Sequence, residues 1–239
     1  MHRFFITNED SVSGGLVKIM SEELVHQMAN VLRFRVGEKV VLLDGEGDEH
    51  EVEILEISKK FVNCRVIEKK VCDGEPSIKI VLYQAMTKNP ERFEFVLQKG
   101  TEVGVSEFVP LITARTERQS LNKIDRLGRI LKEAAEQSCR GIVPVLREVT
   151  EFKKLLKDKP AGMCILADPS GGRGLKEVCL EIKAGDVVNI FIGPEGGLTE
   201  AEVEGAKEAG FEVVNLGKRI LRAETAGMVI AGFIGLECC

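Results

Sequence analysis

The chain has 239 residues and a formal net charge of −5, from 33 Lys and Arg against 38 Asp and Glu. Apolar residues make up 44% and charged residues 30%, which excludes collagen, a coiled-coil rod, a disordered tail and a membrane channel. The acidic total argues mildly against a broad nucleic-acid surface, and 11 Phe, 1 Tyr and no Trp argue against a base-stacking platform.

At about 150 residues per domain, the length admits one large domain or two small ones. Residues 1–72 read as β-rich. Arg3–Thr7 is a short strand, followed by Lys39–Leu43, Glu49–Ile57 and Phe61–Ile67, the middle one alternating as V-E-I-L-E-I. Asp44–Asp48 is a hairpin loop, and Glu22–Leu32 a helix with Ser21 as its N-cap. Short strands with one helix predict a small barrel. Its acids are clustered: Asp44, Glu46, Asp48, Glu49, Glu51, Glu53 and Glu56 follow one another with no Lys or Arg between them.

Val71–Ser77 carries Gly and Pro and reads as a linker. Strands then alternate with helices. Ile78–Gln84 precedes a helix over Pro90–Val103, and Phe108–Ile112 precedes a long helix over Leu121–Cys139. Strand Met163–Ala167 runs into a loop, Asp168–Gly174. Strand Val187–Ile192 leads to helix Thr199–Ala209, and the short strand Val213–Leu216 to a last helix over Glu224–Leu236. Such alternation predicts a parallel sheet covered by helices. The chain therefore divides into a small β domain, 1–72, and an α/β domain, 73–239.

Two motifs carry the chemistry. In Val187–Glu204 an apolar strand enters Gly193-Pro194-Glu195-Gly196-Gly197, and a helix follows with a capping box from Thr199 to Glu202. Open α/β sheets bind ligands at such strand–turn–helix junctions, although a tight turn without a ligand has the same pattern. The run is neither GxxxxGK[ST] nor GxGxxG, and its Glu suits a neutral or cationic ligand better than a phosphate. In Leu216–Ala226 (LGKRILRAETA), Lys218, Arg219 and Arg222 open a helix, where cations oppose the macrodipole; either they are a solvated helix start or an anionic partner justifies them.

A third cluster, Arg115–Arg147, is locally basic and reads as a phosphate-contacting patch, or else as a solvated helix face with weak ion pairs. On its helix Arg129, Glu133, Glu136, Gln137 and Arg140 share one face by spacing.

Cys64, Cys72, Cys139, Cys164, Cys179, Cys238 and Cys239 form no CxxC pair, and the three His lie at 2, 26 and 50, so no metal site is expected. Unpaired thiols fit a cytoplasmic protein, with no signal peptide at the start and no membrane partner. GxSxG is absent and residues 73–239 contain no His, so acid–base chemistry there falls to Asp, Glu, Lys, Arg or Tyr83.

The run IGPEGG (192–197) with LGKRILRAETA (216–226) resembles the bacterial small-subunit rRNA uridine-N3 methyltransferase family of the SPOUT superfamily. HRFF (2–5), HQMANVLR (26–33), QKGTEVGV (98–105), FVPLITART (108–116) and EAAEQSCR (133–140) extend the resemblance over nearly the whole chain. It implies a PUA-like β-barrel over 1–72 that helps hold RNA, and a SPOUT α/β domain over 73–239 with a deep trefoil knot.

The resemblance further implies S-adenosyl-L-methionine-dependent methylation of N3 of a uridine, U1498, in 16S rRNA, in the assembled 30S subunit, by a homodimer built through the C-terminal helix. The cofactor would lie against Leu166, Ala167 and Asp168, against Ile192, Gly193, Pro194, Glu195, Gly196 and Gly197, and against Leu216, Gly217, Arg219, Ile220, Leu221, Arg222 and Thr225. The last helix is apolar nearly all round, so burial on both faces is expected, with Gly227, Gly232 and Gly235 permitting close approach of another helix.

N3 of uridine lies on the Watson–Crick edge and carries a weakly acidic proton, so the base must be unpaired and deprotonated. Arg222 is the candidate to stabilise the developing negative charge, with Arg140 or Arg115 as a clamp, and Glu224 or Glu136 is the candidate proton acceptor. RNA contacts are expected at Arg3, Arg33, Arg115, Arg118, Arg129 and Arg140. A knotted enzyme acting on a ribose 2′-oxygen or another base, and a non-enzymatic RNA-binding assembly factor, are the alternatives; a dinucleotide-dependent dehydrogenase lacks its phosphate fingerprint.

Overall fold

The computed structural model describes residues 1–237; Cys238 and Cys239 lie outside the described residues. The chain forms two compact units, Met1–Glu75 with Ala135–Val143, and Pro76–Ala134 with Pro144 onward. The boundary expected at 72/73 thus falls three residues later, and a nine-residue segment from the middle of the chain returns to the first unit. Ala135 and Val143 join Phe5, Val41 and Leu43 in one apolar cluster, which is the reason for that return.

The first unit contains β1 (Arg3–Phe5), β2 (Ser11–Ser13), β3 (Leu16–Ile19), α1 (Glu22–His26), β4 (Lys39–Leu43), β5 (Asp48–Ile57) and β6 (Val62–Val71). Its sheet runs β1-β4-β5-β6-β3-β2, with β1 parallel to β4 and the other pairs antiparallel. No pairing joins β1 to β2 among the described residues, so in hydrogen bonding the expected barrel is an open six-stranded sheet.

The β2–β3 hairpin was not expected. Gly14 and Gly15 turn it at φ 58 and 79, values open to glycine, and the Gly-Gly pair between Ser11–Ser13 and Leu16–Ile19 is the signal that marks it. The expected helix Glu22–Leu32 is α-helical only to His26 and continues as a π-turn over Gln27–Val31. Ser21 occupies the N-cap position without a capping hydrogen bond; Asp10 Oδ1 instead accepts the Met20 and Ser21 N–H groups at 2.7 and 3.0 Å.

The second unit contains β7 (Lys79–Ala85), α2 (Pro90–Glu102), β8 (Glu107–Ile112), α3 (Ile124–Gln137, whose last residues belong to the first unit), β9 (Val145–Leu146), β10 (Thr150–Glu151) and α4 (Phe152–Lys157). It continues with β11 (Met163–Ala167), β12 (Arg173–Gly174), α5 (Leu175–Cys179), β13 (Val187–Ile192), α6 (Glu200–Glu208), β14 (Glu212–Asn215) and α7 (Ala223–Glu237). The sheet is parallel throughout, in the order β10-β8-β7-β13-β11-β14-β12 with β9 also on β8. Its central strands are almost wholly apolar because both faces are covered, Gln84 and Asn189 being the buried polar exceptions. On one side Tyr83, Phe152, Phe191 and Phe211 pack together, Tyr83 and Phe191 stacked at 4.3 Å. α7 packs against α2, β7 and β13.

α7 buries Ala226, Gly227, Ile230, Ala231 and Ile234 but leaves Val229 43% and Leu236 85% exposed, so within the chain only one face is covered. Of the three glycines expected to admit another helix, Gly227 faces the sheet, and Gly232 and Gly235 face Val103 at the end of α2. A Cβ at Gly227 would meet Gln84 Oε1 at 3.2 Å, and one at Gly235 the Val103 carbonyl oxygen at 3.3 Å, so sheet and α2 approach closely at both points.

Candidate active site

Three loops leave the carboxyl ends of β11, β13 and β14 and together wall one cleft. Its two adjoining lobes measure about 290 and 410 Å³, sharing Ala167, Asp168, Pro169, Ile220, Leu221 and Ala226. That is the size range of small-molecule sites.

Each wall is fixed locally. In the first, Asp168 Oδ1 accepts the Ser170 N–H and hydroxyl at 2.9 and 2.6 Å. Gly171 runs so close to β14 that a Cβ would lie 2.4 Å from the Val214 carbonyl carbon. Asn215 joins this wall to the third: its Nδ2 donates to the Gly171 carbonyl at 2.7 Å, and its Oδ1 accepts the Gly217 N–H at 3.2 Å. Gly217 turns there at φ 93.

The middle wall, Gly193–Gly197, closes through Gly197 N–H to the Pro194 carbonyl at 2.9 Å, with Gly197 at φ 69. The expected capping box is present, Thr199 and Glu202 bonding reciprocally at the start of α6. Glu202 Oε1 also accepts the Ala114 N–H at 2.8 Å. Arg115 Nη1 donates to the carbonyls of Gly196 and Leu198 at 2.8 and 3.2 Å.

Of the residues expected at the cofactor, Ala167, Asp168, Ile192, Gly193, Pro194, Glu195, Gly197, Leu216, Gly217, Arg219, Ile220, Leu221 and Arg222 line the cleft. Leu166 does not: it is fully buried in the sheet core. Gly196 and Thr225 are also absent from the lining. Pro169, Lys218, Leu198, Ala223, Ala226 and Arg92 line it unexpectedly. Lys218, Ala223 and Ala226 lie within the second motif and Pro169 and Leu198 next to expected residues, whereas Arg92 is remote in sequence and carries no motif signal.

The expected catalytic residues separate. Arg222 lines the cleft and is exposed. Glu224 begins α7 and is 9% exposed; Oε1 lies 3.9 Å from Arg92 Nε, and Oε2 is buried with no hydrogen-bond partner. Arg140 and Glu136 belong to the first unit and do other work. Arg140 is 2% exposed, and its Nη2 lies 2.7 Å from Glu75 Oε2. It lies beyond the end of α3 and a left-handed Cys139 (φ 62), off the helix face on which its spacing placed it. Glu136 Oε1 accepts the Phe5 N–H at 3.0 Å. Tyr83 is likewise a core residue, its phenol pKa raised by burial.

The expected RNA-contacting arginines are also largely committed. Arg3 pairs with the buried Glu49. Arg115 braces the middle wall, and Arg118 Nη2 donates to the Ser120 carbonyl at 3.2 Å. Arg33 and Arg129 are exposed, Arg33 in the left-handed region at φ 56. Elsewhere in the basic cluster, Arg126 forks onto Glu94 at 2.9 and 2.8 Å, and Arg147 pairs with Glu107. No cluster of metal-ligating side chains occurs among the described residues, and no described helix is long and apolar enough to cross a membrane.

Two family models match: an RNA methyltransferase PUA domain over residues 21–67 and an RNA methyltransferase domain over 74–235. The ribosomal RNA small subunit methyltransferase E of Bacillus subtilis (strain 168) is 35% identical over 250 residues, covering 99% of this chain and 97% of that protein. A ribosomal RNA small subunit methyltransferase E from Neisseria gonorrhoeae, bound to S-adenosyl methionine, superposes with a TM-score of 0.86 at 31% identity, covering 100% of this chain and 98% of that one. A putative methyltransferase from Legionella pneumophila in complex with the same cofactor gives a TM-score of 0.83 at 28% identity, covering 97% and 96%. Sequence, fold and cleft agree that the chain belongs to the RNA methyltransferase family, in the ribosomal RNA small subunit methyltransferase E group, with a PUA-like sheet preceding the methyltransferase domain.

Proposed function

We propose that the chain transfers a methyl group from S-adenosyl-L-methionine to N3 of U1498 in 16S rRNA. The observation that carries this reading is the cleft, where three loops from adjacent parallel strands converge on residues matching the family's motifs. The donor set suits the cofactor. Asp168 and Glu195 place carboxylates at the lining beside Arg92, Lys218, Arg219 and Arg222, so the cleft offers negative charge to a sulfonium and cations to an anionic partner, and the glycine turns let backbone groups approach a nucleoside closely.

When bound, S-adenosyl-L-methionine supplies an electrophilic methyl group. The chain must hold the unpaired base in line with it and manage one proton. With Glu136 engaged by Phe5, Glu224 is the one left of the two candidate acceptors; it sits behind the lining between Ala223 and Ala226, and its Oε2 is buried without a hydrogen-bond partner, so the base must reach it on binding. The N3 electron pair forms the new N–C bond, the methyl–sulfur pair stays on sulfur, and Glu224 passes the proton to water. Arg222 donates to the base oxygens, where negative charge develops.

A trefoil knot in the C-terminal segment and a homodimer across α7 belong to the same reading; the exposed Val229 and Leu236 support the dimer. The five described cysteines are free, which supports a cytoplasmic setting. The test is methylation of 30S particles and of free 16S rRNA with labelled donor, followed by nucleoside mass spectrometry. N3-methyluridine at one site is expected. A 2′-O-methyl product overturns the reading, and no calorimetric donor binding turns it toward an assembly factor.

A further inference from the structure

Arg92 lies in the first turn of α2, outside the three loops. Asn89 accepts the Glu91 N–H at 2.9 Å and Pro90 opens the helix, so the position is held firmly. A cation there opposes the helix dipole and needs nearby negative charge. Two carboxylates supply it: Nη1 is 3.6 Å from Glu195 Oε1, and Nε is 3.9 Å from Glu224 Oε1.

Both separations exceed hydrogen-bond length, so the guanidinium stands between the carboxylates without being locked to either. Glu195 Oε1 also receives the Lys88 N–H at 3.2 Å, which fixes the middle wall on the same point. Glu224 therefore presents one oxygen toward Arg92, while the other is buried and unpartnered. A buried acceptor costs stability unless a donor arrives to fill it.

We propose that Arg92 is a positioning residue for methyl transfer: its charge, at ion-pair distance, draws one oxygen of Glu224 toward it so that the other is turned to the substrate proton, and it couples that carboxylate to the Gly193–Gly197 turn through Glu195. This rests on the reading of Glu224 as proton acceptor. The N3–H bond breaks toward Glu224, N3 takes the methyl group, and sulfur keeps the electron pair of the broken bond; Arg92 exchanges no proton.

The experiment is single-turnover methylation of 30S particles by R92A, R92K, E224Q and R92A/E224Q, with donor affinity measured by calorimetry. R92A is expected to slow transfer about 100-fold while leaving donor affinity within about threefold. R92K, which keeps the charge, recovers about tenfold of that loss and carries the test if R92A melts below the assay temperature. The double variant is no slower than E224Q alone, because residues that act through one another are not additive.

A wild-type rate in R92A, a loss confined to donor affinity, or losses that multiply in the double variant overturn the role of Arg92. A wild-type rate in E224Q overturns the acceptor itself and Arg92 with it. A different methylated nucleoside overturns the assigned product alone, since the same rates still report on Arg92.

Discussion

Glu107 at the start of β8 lies between Arg147, whose Nε is 2.7 Å from Oε2, and Lys79, whose Nζ is 2.5 Å from Oε1. The Arg147 hydrogen bond outweighs the opposing cost of burial and, with Lys79, holds the carboxyl pKa at about 2, against 4.5 ordinarily. A carboxyl group with a depressed folded pKa adds stability that is complete above its unfolded pKa and lost as pH falls through the folded one. That contribution is therefore full above about pH 4.5 and gone near pH 2. Because Arg147 and Lys79 are half exposed and solvent screens the pairs, Glu107→Gln should lower stability at neutral pH by about 1 kcal/mol and flatten the acid limb of stability against pH, measured by urea unfolding. An unchanged acid limb would refute the assignment. Burial pushes the Cys64 thiol to about 12 and Cys164 to about 11, so neither is a ready nucleophile. At this scale the sequence shows which residues are charged but not which partner each takes. From sequence Arg115 is either a clamp or part of a solvated face, and only its approach to Gly196 and Leu198, some 80 positions away, makes it a brace.

Among the elements, α6 was legible to its cap because a capping box is local, with Thr199 and Glu202 satisfying each other's backbone donors. Thr199→Ala should cost about 1 kcal/mol, a fall of about 2–4 °C in melting temperature by calorimetry. Because Glu202 also holds Ala114, donor affinity should fall with it, and a variant unchanged in both would show that the box does not support the cleft. The acidic run along β5 is also resolved at this scale. Glu53 and Glu49 lie opposite Arg65 and Lys70 in register and pair with them, while Lys39 pairs with Glu51 and Lys69 with Asp48. The run is a cross-strand charge ladder. Elements too short to show a period escaped prediction: β9, β10 and β12 are two residues each, and α4 and α5 only six and five. The strands form because β8 and β14 offer open hydrogen bonds, and α4 and α5 because Phe152, Val178 and Cys179 find a core to enter, conditions absent from their own sequences.

For the whole molecule, a net charge of −5 and a basic cluster largely engaged by carboxylates and carbonyls predict few phosphate contacts. The protein should bind arbitrary RNA with a dissociation constant of about 10⁻⁴–10⁻⁶ M at physiological salt and with a shallow salt dependence, measured by fluorescence anisotropy. It should methylate assembled 30S particles faster than free 16S rRNA; tight binding to unrelated RNA would contradict this. By itself, the sequence determined the change from strands to alternating strand and helix, the β13 turn with its capped helix, and the motif-bearing loops. These are written in local periodicity, glycine placement and capping, which act over a few residues. The tertiary structure alone decided that Ala135–Val143 returns to the first unit, that Arg140 braces Glu75, that Glu224 keeps a buried oxygen open, and that Arg92 enters the cleft. Each depends on groups far apart in the chain meeting where water is excluded, and residue spacing carries no record of which groups meet.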